Sequence, residues 1–392
     1  MHNDRLDQLT DYAFTRLRRL LDGVPPGDAV TLDMALGEPR HPPPDFIRPI
    51  LGSADAQWGR YPPGAGTPDL RQAIAGWLDR RYALPAGLID PDRHIVPVCG
   101  TREALFLAAL AAVPARRNGV APAVLLPNPY YQAYLGGAVM AGAEAALLDA
   151  TPANGFQPDL AALDPALLER AALVYLNSPA NPQGSVLSRA QLKAALDLAR
   201  AHDFVLAVDE CYAEIYTETP PPGALEAAAE TGSLENLAVF HSLSKRSNVP
   251  GLRSGFVAGD ADLIALSVRL RSYGGATLPL PVMQASAALW RDEEHVAENR
   301  RLYREKFDAA LELFDVDRPA GGFFLWLDVA DGEAAATALW REAGVRVLPG
   351  AYMARESADG GNPGDRYIRV ALVHAPDETR AALTRAAAAL AA

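Results

Sequence analysis

The stretch AALVYLNSPANPQGSVLSRAQLKAALDLARAHDFVLAVD, residues 171–209, decides the fold. Its two ends, 171–176 and 204–209, are short runs of Val, Leu, Ala and aromatic residues, while 188–202 spaces Leu and Ala against charged residues in a helical pattern. The reading is strand, helix, strand, and it repeats outward along the chain. Apolar strand candidates lie at 94–98, 123–127, 145–148, 237–241 and 255–258, and a further alanine- and leucine-rich helical stretch at 101–112. Such alternation predicts an α/β fold, with a mainly parallel seven-stranded sheet between helices. Ligands in these folds bind beyond the carboxyl ends of the strands, so the residues just after each strand are the ones to inspect.

The flanks differ. Upstream, residues 11–22 carry Tyr12, Phe14, Leu17, Leu20 and Leu21 in a helix-like pattern, LGEPRHPPP at 36–44 reads as an extended loop, and helical patterning resumes at 68–82. After Pro281 a long amphipathic pattern runs to about Phe314 and reads as a connector into a smaller α+β domain. That domain would hold FFLWLDV at 323–329, a helix near 333–343, VRVLP at 345–349 and YIRVALV at 367–373.

Composition excludes several function classes. At about 150 residues per domain, 392 residues suit two or three domains. No stretch approaches the roughly 18 uninterrupted apolar residues of a membrane span. A net charge of −12 disfavours nucleic acid as a partner. Cys99 and Cys211 stand far apart with no Cys/His cluster, which argues for a reducing compartment and against a metal site. The start, MHNDRLDQLTDYAF, lacks the basic end and apolar run of a secretory signal, so a cytoplasmic location is expected.

Lysine is scarce: Lys193, Lys245 and Lys306 only, so 33 of the 36 basic residues are arginine. Any step that needs a neutral amine must use one of these three. Lys193 and Lys306 lie in charged or amphipathic helical stretches and read as solvated cations. Lys245 follows the strand LAVFHS and opens SLSKRSNVPGLRSG, where Ser242, Ser244 and Arg253 supply hydroxyls and a guanidinium suited to a phosphate dianion. An amine beside a phosphate ester suggests Schiff-base chemistry, which also calls for an acidic partner to a pyridinium nitrogen.

AVDECY at 207–212 offers that partner in Asp209, with a structural arginine as the alternative counter-ion. VCGTREALF at 98–106 reads as strand, glycine turn and helix start, placing the amides of Thr101 and Arg102 where an anion is favoured. GAG at 64–66 is weaker, with no strand before it. NPYYQAY offers Tyr130, Tyr131 and Tyr134 as stacking or packing rings, and NPQG offers the Asn181 amide. Arg369, on the apolar strand YIRVALV, needs an anion: a structural aspartate or a substrate carboxylate.

In this order GEP, Tyr61, GTREAL, PYY, NPQG, VDECY, SLSK with Arg253, and YIRVALV resemble the class I/II pyridoxal-phosphate aminotransferases of fold type I over nearly the whole chain. The resemblance implies pyridoxal 5'-phosphate as cofactor and Lys245 as its covalent attachment point and proton carrier. It implies Asp209 at the ring nitrogen, Asn181 and Tyr212 at the ring oxygen, and Tyr131 on the ring face. It places the phosphate on Thr101, Arg102, Ser242, Ser244, Arg253 and a second subunit's Tyr61, and the substrate carboxylate on Arg369 with Gly37 and Asn181 nearby. It implies small-molecule substrates and a homodimer with active sites at the interface. It divides the chain into residues 1–45 and 282–392 of the small domain and 46–281 of the large one.

The finer wording, above all SKRSNVPGLRSG, is most similar to the succinyldiaminopimelate aminotransferases of lysine and diaminopimelate synthesis. That implies amino transfer between glutamate and N-succinyl-2-amino-6-oxopimelate, with a second cation near the distal carboxylates: Arg102, Arg269 or Arg271. The alternatives are aspartate- or acetylornithine-type acceptors, or a C–S lyase. Cys99, Tyr130 and Gln183 depart from the usual pattern and bear on substrate preference. A transcription regulator on this fold needs a DNA-binding domain, and about 35 residues precede GEP.

Overall fold

The computed structural model describes residues 1–391 except 29, 54–56 and 359. In chain order its strands are β1 (Leu32–Asp33), β2 (Ile95–Val98), β3 (Ala123–Asn128), β4 (Glu144–Asp149), β5 (Ala171–Asn177), β6 (Val205–Asp209), β7 (Leu237–Ser242) and β8 (Gly255–Gly259), then β9 (Phe324–Asp328), β10 (Val345–Arg346), β11 (Leu348–Pro349) and β12 (Tyr367–Ala371).

Strands β2 to β8 form the seven-stranded sheet, in the order β2-β8-β7-β6-β5-β3-β4. Neighbours from β4 to β7 run parallel, and only β8 is reversed, antiparallel to both β7 and β2. These are the seven apolar runs of the sequence. β3, β5 and β7 are buried along their whole length, because helices cover both faces and leave no side for water. One face packs on Trp77 and Trp290 from the helices Pro68–Tyr82 and Leu280–Arg291. The other packs on Tyr134 and Leu105 from the helices Gln132–Ala141 and Thr101–Ala112. Between β3 and β5 the direction of strand succession reverses, and sheets of this kind bind ligands beyond the carboxyl ends at such a point.

A smaller antiparallel sheet, β11-β12-β9, has its own core around Phe307, Leu339 and Leu372. β1 pairs in parallel with β10, Leu32 opposite Val345, which ties the start of the chain to this sheet. No helix among the described residues is long and apolar enough to cross a membrane.

Two expectations need correction. The amphipathic run after Pro281 is two helices, Leu280–Arg291 and Glu294–Leu311. Buried Arg246 accounts for the break: it donates to the carbonyls of Leu289 and Asp292 and pairs with Glu293, satisfying groups that a continuous helix would have bonded itself. Lys306, read as a solvated cation, is fully buried on the second of these helices. Lys193 is half-exposed and pairs with Asp197 at 2.5 Å, as expected for a helix surface.

Candidate active site

Four strand ends and the N-terminal segment converge on one cavity of about 560 Å³. β6 delivers Asp209, β7 delivers Ser242 and the short helix Leu243–Arg246 with Lys245, β2 leads through Gly100 to the helix Thr101–Ala112, and β5 leads to Asn177 and Asn181. Tyr131, Tyr212, Arg253, Arg369 and Gly37 complete the wall. Thus every residue expected at the site lines it except Tyr61, which is fully exposed on the loop before the helix Pro68–Tyr82.

Lys245 donates its Nζ hydrogen to the Gly37 carbonyl and lies 5.4 Å from the Phe323 ring and 5.9 Å from that of Tyr212. Burial, reinforced by Arg369 and Arg102 against the opposing pull of Cys211 and Glu38, lowers its pKa to about 8. A Cβ on Gly37 would come within 2.7 Å of the Phe324 ring, which would have to shift to admit a larger residue here.

Asp209 is buried without an arginine or lysine partner among the described residues, so the structural counter-ion alternative fails. Tyr134 donates to Oδ2 at 2.7 Å and the Cys211 amide to Oδ1 at 3.1 Å. Burial raises the pKa of the carboxyl, against the lowering effect of its hydrogen bonds to Cys211 and Tyr134. Arg369 is the converse: a buried guanidinium, lowered to about 10 by desolvation, with no carboxylate partner among the described residues. It donates to Asn181 Oδ1 at 2.9 Å and to the Ala35 carbonyl at 2.7 Å, and its Nε–H has no partner among the described residues.

The third feature is an anion cradle. Gly100 turns at φ +86°, and the helix that follows has no side-chain cap, so the amides at Thr101 and Arg102 are left for a ligand. A Cβ on Gly100 would run into Nη2 of Arg253, whose guanidinium closes the cradle and bonds only carbonyls, of Pro250 at 2.9 Å and Cys99 at 3.3 Å. Ser242 and Ser244 stand beside it, with Ser244 N donating to Ser242 Oγ at 3.1 Å. The side chain of Arg102 turns away from the cradle and donates to the Tyr131 hydroxyl at 2.6 Å. Of the three arginines offered as a second substrate cation, Arg102 lines the cavity. Arg271 is buried and spent on the carbonyls of Pro97 and Ala276, and Arg269 is exposed outside the cavity lining.

Sequence reasoning missed what the Tyr134 hydroxyl does, and it missed Asn177, Cys211 and Glu38 in the cavity wall. Asn177 and Cys211 each sit within a few residues of a named site residue, at a strand end, so position alone was the available signal. Tyr134 stacks on Tyr175 at 4.6 Å and meets Tyr131 edge-on at 5.7 Å, which fixes its hydroxyl on Asp209. Tyr134→Phe therefore removes one donor from a buried carboxylate and should cut kcat about tenfold at little cost in folding, a loss of the size expected for one charge-assisted hydrogen bond. Steady-state kinetics with thermal melting checks this.

The family model described as "Aminotransferase class I and II" matches residues 30–386. The chain belongs to this family. Class I and II aminotransferases depend on pyridoxal phosphate, and the residues here fit that cofactor: an uncapped helix start closed by an arginine with no carboxylate partner among the described residues, a buried carboxylate with no arginine or lysine partner among them, and an amine in the same cavity. An aminotransferase from Neisseria meningitidis is similar in structure, with TM-score 0.93 and 41% identity over 99% of each chain. The aminotransferase AspB of Helicobacter pylori follows with TM-score 0.89 and 35% identity, over 97% of this chain and 98% of its own. Among curated relatives, LL-diaminopimelate aminotransferase of Moorella thermoacetica is 30% identical over 97% of this chain and 96% of its own length. A 4-dedimethylamino-4-oxo-anhydrotetracycline transaminase of Streptomyces rimosus is 34% identical over 90% and 92%.

Proposed function

We propose that this aminotransferase moves an amino group from glutamate to a long 2-oxo acid carrying several carboxylates, N-succinyl-2-amino-6-oxopimelate. One observation carries the reading: among the described residues, buried Asp209 without an arginine or lysine partner and buried Arg369 without a carboxylate partner face one cavity that also holds the Lys245 amine. Both uncompensated charges are costly in an empty protein and are matched when a cationic ring and a substrate carboxylate enter.

Pyridoxal phosphate, when bound, supplies an electron sink that acidifies the α C–H of an attached amino acid. Thr101, Arg102, Ser242, Ser244 and Arg253 hold its phosphate, Asp209 its ring nitrogen, Asn181 and Tyr212 its ring oxygen, and Tyr131 its face. Arg369 fixes the substrate α-carboxylate, and Asn181, already held by Arg369, keeps that carboxylate beside the ring. Lys245 Nζ takes the substrate α-proton and gives it up again; with a pKa near 8 it is neutral in useful proportion at physiological pH. The exposure of Tyr61 suits a residue that completes the phosphate site of a second copy, so a homodimer is part of the proposal.

Arg102 supports the acidic, extended acceptor. Beside Arg369 and the Arg253 of the cradle it is a third guanidinium in the cavity lining, and the LL-diaminopimelate relatives are named for a substrate of the same carbon skeleton. With glutamate as donor, kcat/KM for the succinylated acceptor should exceed that for oxaloacetate by at least about tenfold, and Arg102→Gln should erase most of the gap. Better turnover of oxaloacetate, an acetylated acceptor or tetrahydrodipicolinate would sink the finer assignment while leaving amino transfer intact.

A further inference from the structure

Lys306, His41 and Asn299 form a buried polar cluster outside the reacting groups. Lys306 is fully buried on the helix Glu294–Leu311, and no carboxylate pairs with it among the described residues. Its Nζ is 2.6 Å from His41 Nε2 and 3.0 Å from the Leu372 carbonyl, and lies 4.7 Å over the Tyr303 ring. His41 Nδ1 is 2.5 Å from Asn299 Oδ1, which also accepts from Asn248 Nδ2 at 3.1 Å. Asn299 Nδ2 donates to the Arg246 carbonyl at 3.5 Å. An amide oxygen only accepts, so Nδ1 carries the imidazole hydrogen and Nε2 is left to receive the lysine. Burial and the neighbouring amine lower the pKa of His41 to about 4, so the ring is neutral, and burial lowers that of Lys306 to about 7. Every acceptor around Nζ is uncharged, so the same contacts serve the ammonium and the free amine.

Three segments of the site meet in this cluster. His41 lies four residues beyond Gly37, whose carbonyl receives the Lys245 amine. Arg246, which Asn299 reaches, is the neighbour of Lys245, and Leu372 directly follows β12, which carries Arg369. Asn299, Tyr303 and Lys306 stand at i, i+4 and i+7, one face of one helix turned toward all three. Packing alone favours an apolar side chain at such a place, since a buried amine without a carboxylate is expensive.

We propose that Lys306, His41 and Asn299 are positioning residues, a hydrogen-bonded latch that holds segment 37–41 across Lys245 and fixes its amine through the Gly37 carbonyl. The proposal rests on Lys245 being the reacting amine. None of the three latch residues lines the cavity.

His41→Phe keeps a ring against Tyr303 and removes both nitrogens, whereas a glutamine there offers one acceptor to Lys306 and one donor to Asn299. In the cofactor-loaded enzyme, His41→Phe should lower kcat about tenfold with KM for the donor within about twofold, and His41→Gln should stay within about twofold in both. The second readout is the Lys245 amine itself, in the full-length chain freed of cofactor. Competitive acylation across pH with peptide mass spectrometry resolves it, because there are only three lysines. The charged and titratable groups facing it are Cys211, Arg369, Glu38 and Arg102, and neither variant alters them. Release of the latch admits water, so the midpoint should rise from about 8 toward the ordinary lysine range in His41→Phe and stay in place in His41→Gln. A folded His41→Phe enzyme with unchanged kcat and unchanged midpoint overturns the latch, as does a kcat that merely tracks the folded fraction. Should that variant not fold, the double variant His41→Phe, Lys306→Met, which removes both polar partners together, is read by the same two criteria. Turnover surviving in Lys245→Ala would instead overturn the reading of Lys245, whatever the latch variants show.

Discussion

Replacing Lys245 by alanine should reduce turnover by at least about 10³-fold while leaving the protein folded and able to hold its cofactor without a covalent bond, because the amine does two jobs that no neighbour can take over. Lys193 and Lys306 are the other lysines of the chain. The first is on the surface and the second is locked between His41 and Leu372. Arginines in the cavity stay protonated and cannot take a proton. The other groups proposed to hold the cofactor, from Asp209 to the cradle at Gly100, do not pass through Lys245, so retention of bound cofactor on gel filtration separates this outcome from unfolding. The same amine sets a pH dependence. Its pKa near 8 lies below that of a free lysine, so the reactive neutral form falls about tenfold per pH unit below that value and levels off above it. The rate at which the cofactor-free protein recombines with pyridoxal phosphate should therefore climb with pH and flatten just above 8. A profile still rising steeply at pH 10 would show the amine to be solvated and the assignment wrong.

The fold was legible in the sequence because a parallel sheet covered on both faces leaves long apolar runs, and these cannot be mistaken for surface. Residues such as Asp209, Ser242 and Lys245 were legible for the same reason turned round: a polar residue directly after such a run must sit at the sheet's edge, over the crevice. Lys306 shows the limit. Its helix has the alternation of charged and apolar positions that a solvated face produces, yet the face carrying Asn299, Tyr303 and Lys306 meets His41 and Leu372, which lie hundreds of residues away or beyond a sheet. Periodicity identifies a face and cannot identify what covers it. Arg271 failed in the same manner, its guanidinium consumed by carbonyls that only the folded chain brings near. The hydroxyl of Tyr134 was hidden differently: three tyrosines in seven residues announce aromatic packing, and which one turns its oxygen to a carboxylate depends on the stack with Tyr175.

Arg369→Met should raise or leave unchanged the melting temperature of the cofactor-free protein while lowering kcat/KM by about 10²- to 10³-fold, an opposition that follows from where the charge sits. The guanidinium is buried with no carboxylate partner among the described residues, and desolvation already pulls its pKa to about 10. Two of its five N–H groups are used, on Asn181 and Ala35, and Nε–H has none to meet. Methionine of similar length keeps the packing on Phe324, whose ring lies 4.4 Å from the guanidinium carbon, and removes the stranded charge. Asn181 faces the cavity, so water can replace the lost donor there. In the proposed role of Arg369 the substrate carboxylate then loses a paired, bidentate contact, and truncating one partner of a desolvated charge pair costs about 2–5 kcal/mol. Because the α-carboxylate is bound in ground and transition states alike, most of the loss should fall on KM, with a smaller fall in kcat from poorer orientation. Arg369→Lys should restore little, since a point charge on a flexible stem cannot make the planar two-point contact. Calorimetry of the cofactor-free protein beside steady-state kinetics reads both halves. A variant that melts early and whose surviving enzyme keeps the parental KM would make Arg369 a structural residue and leave the substrate carboxylate without its partner.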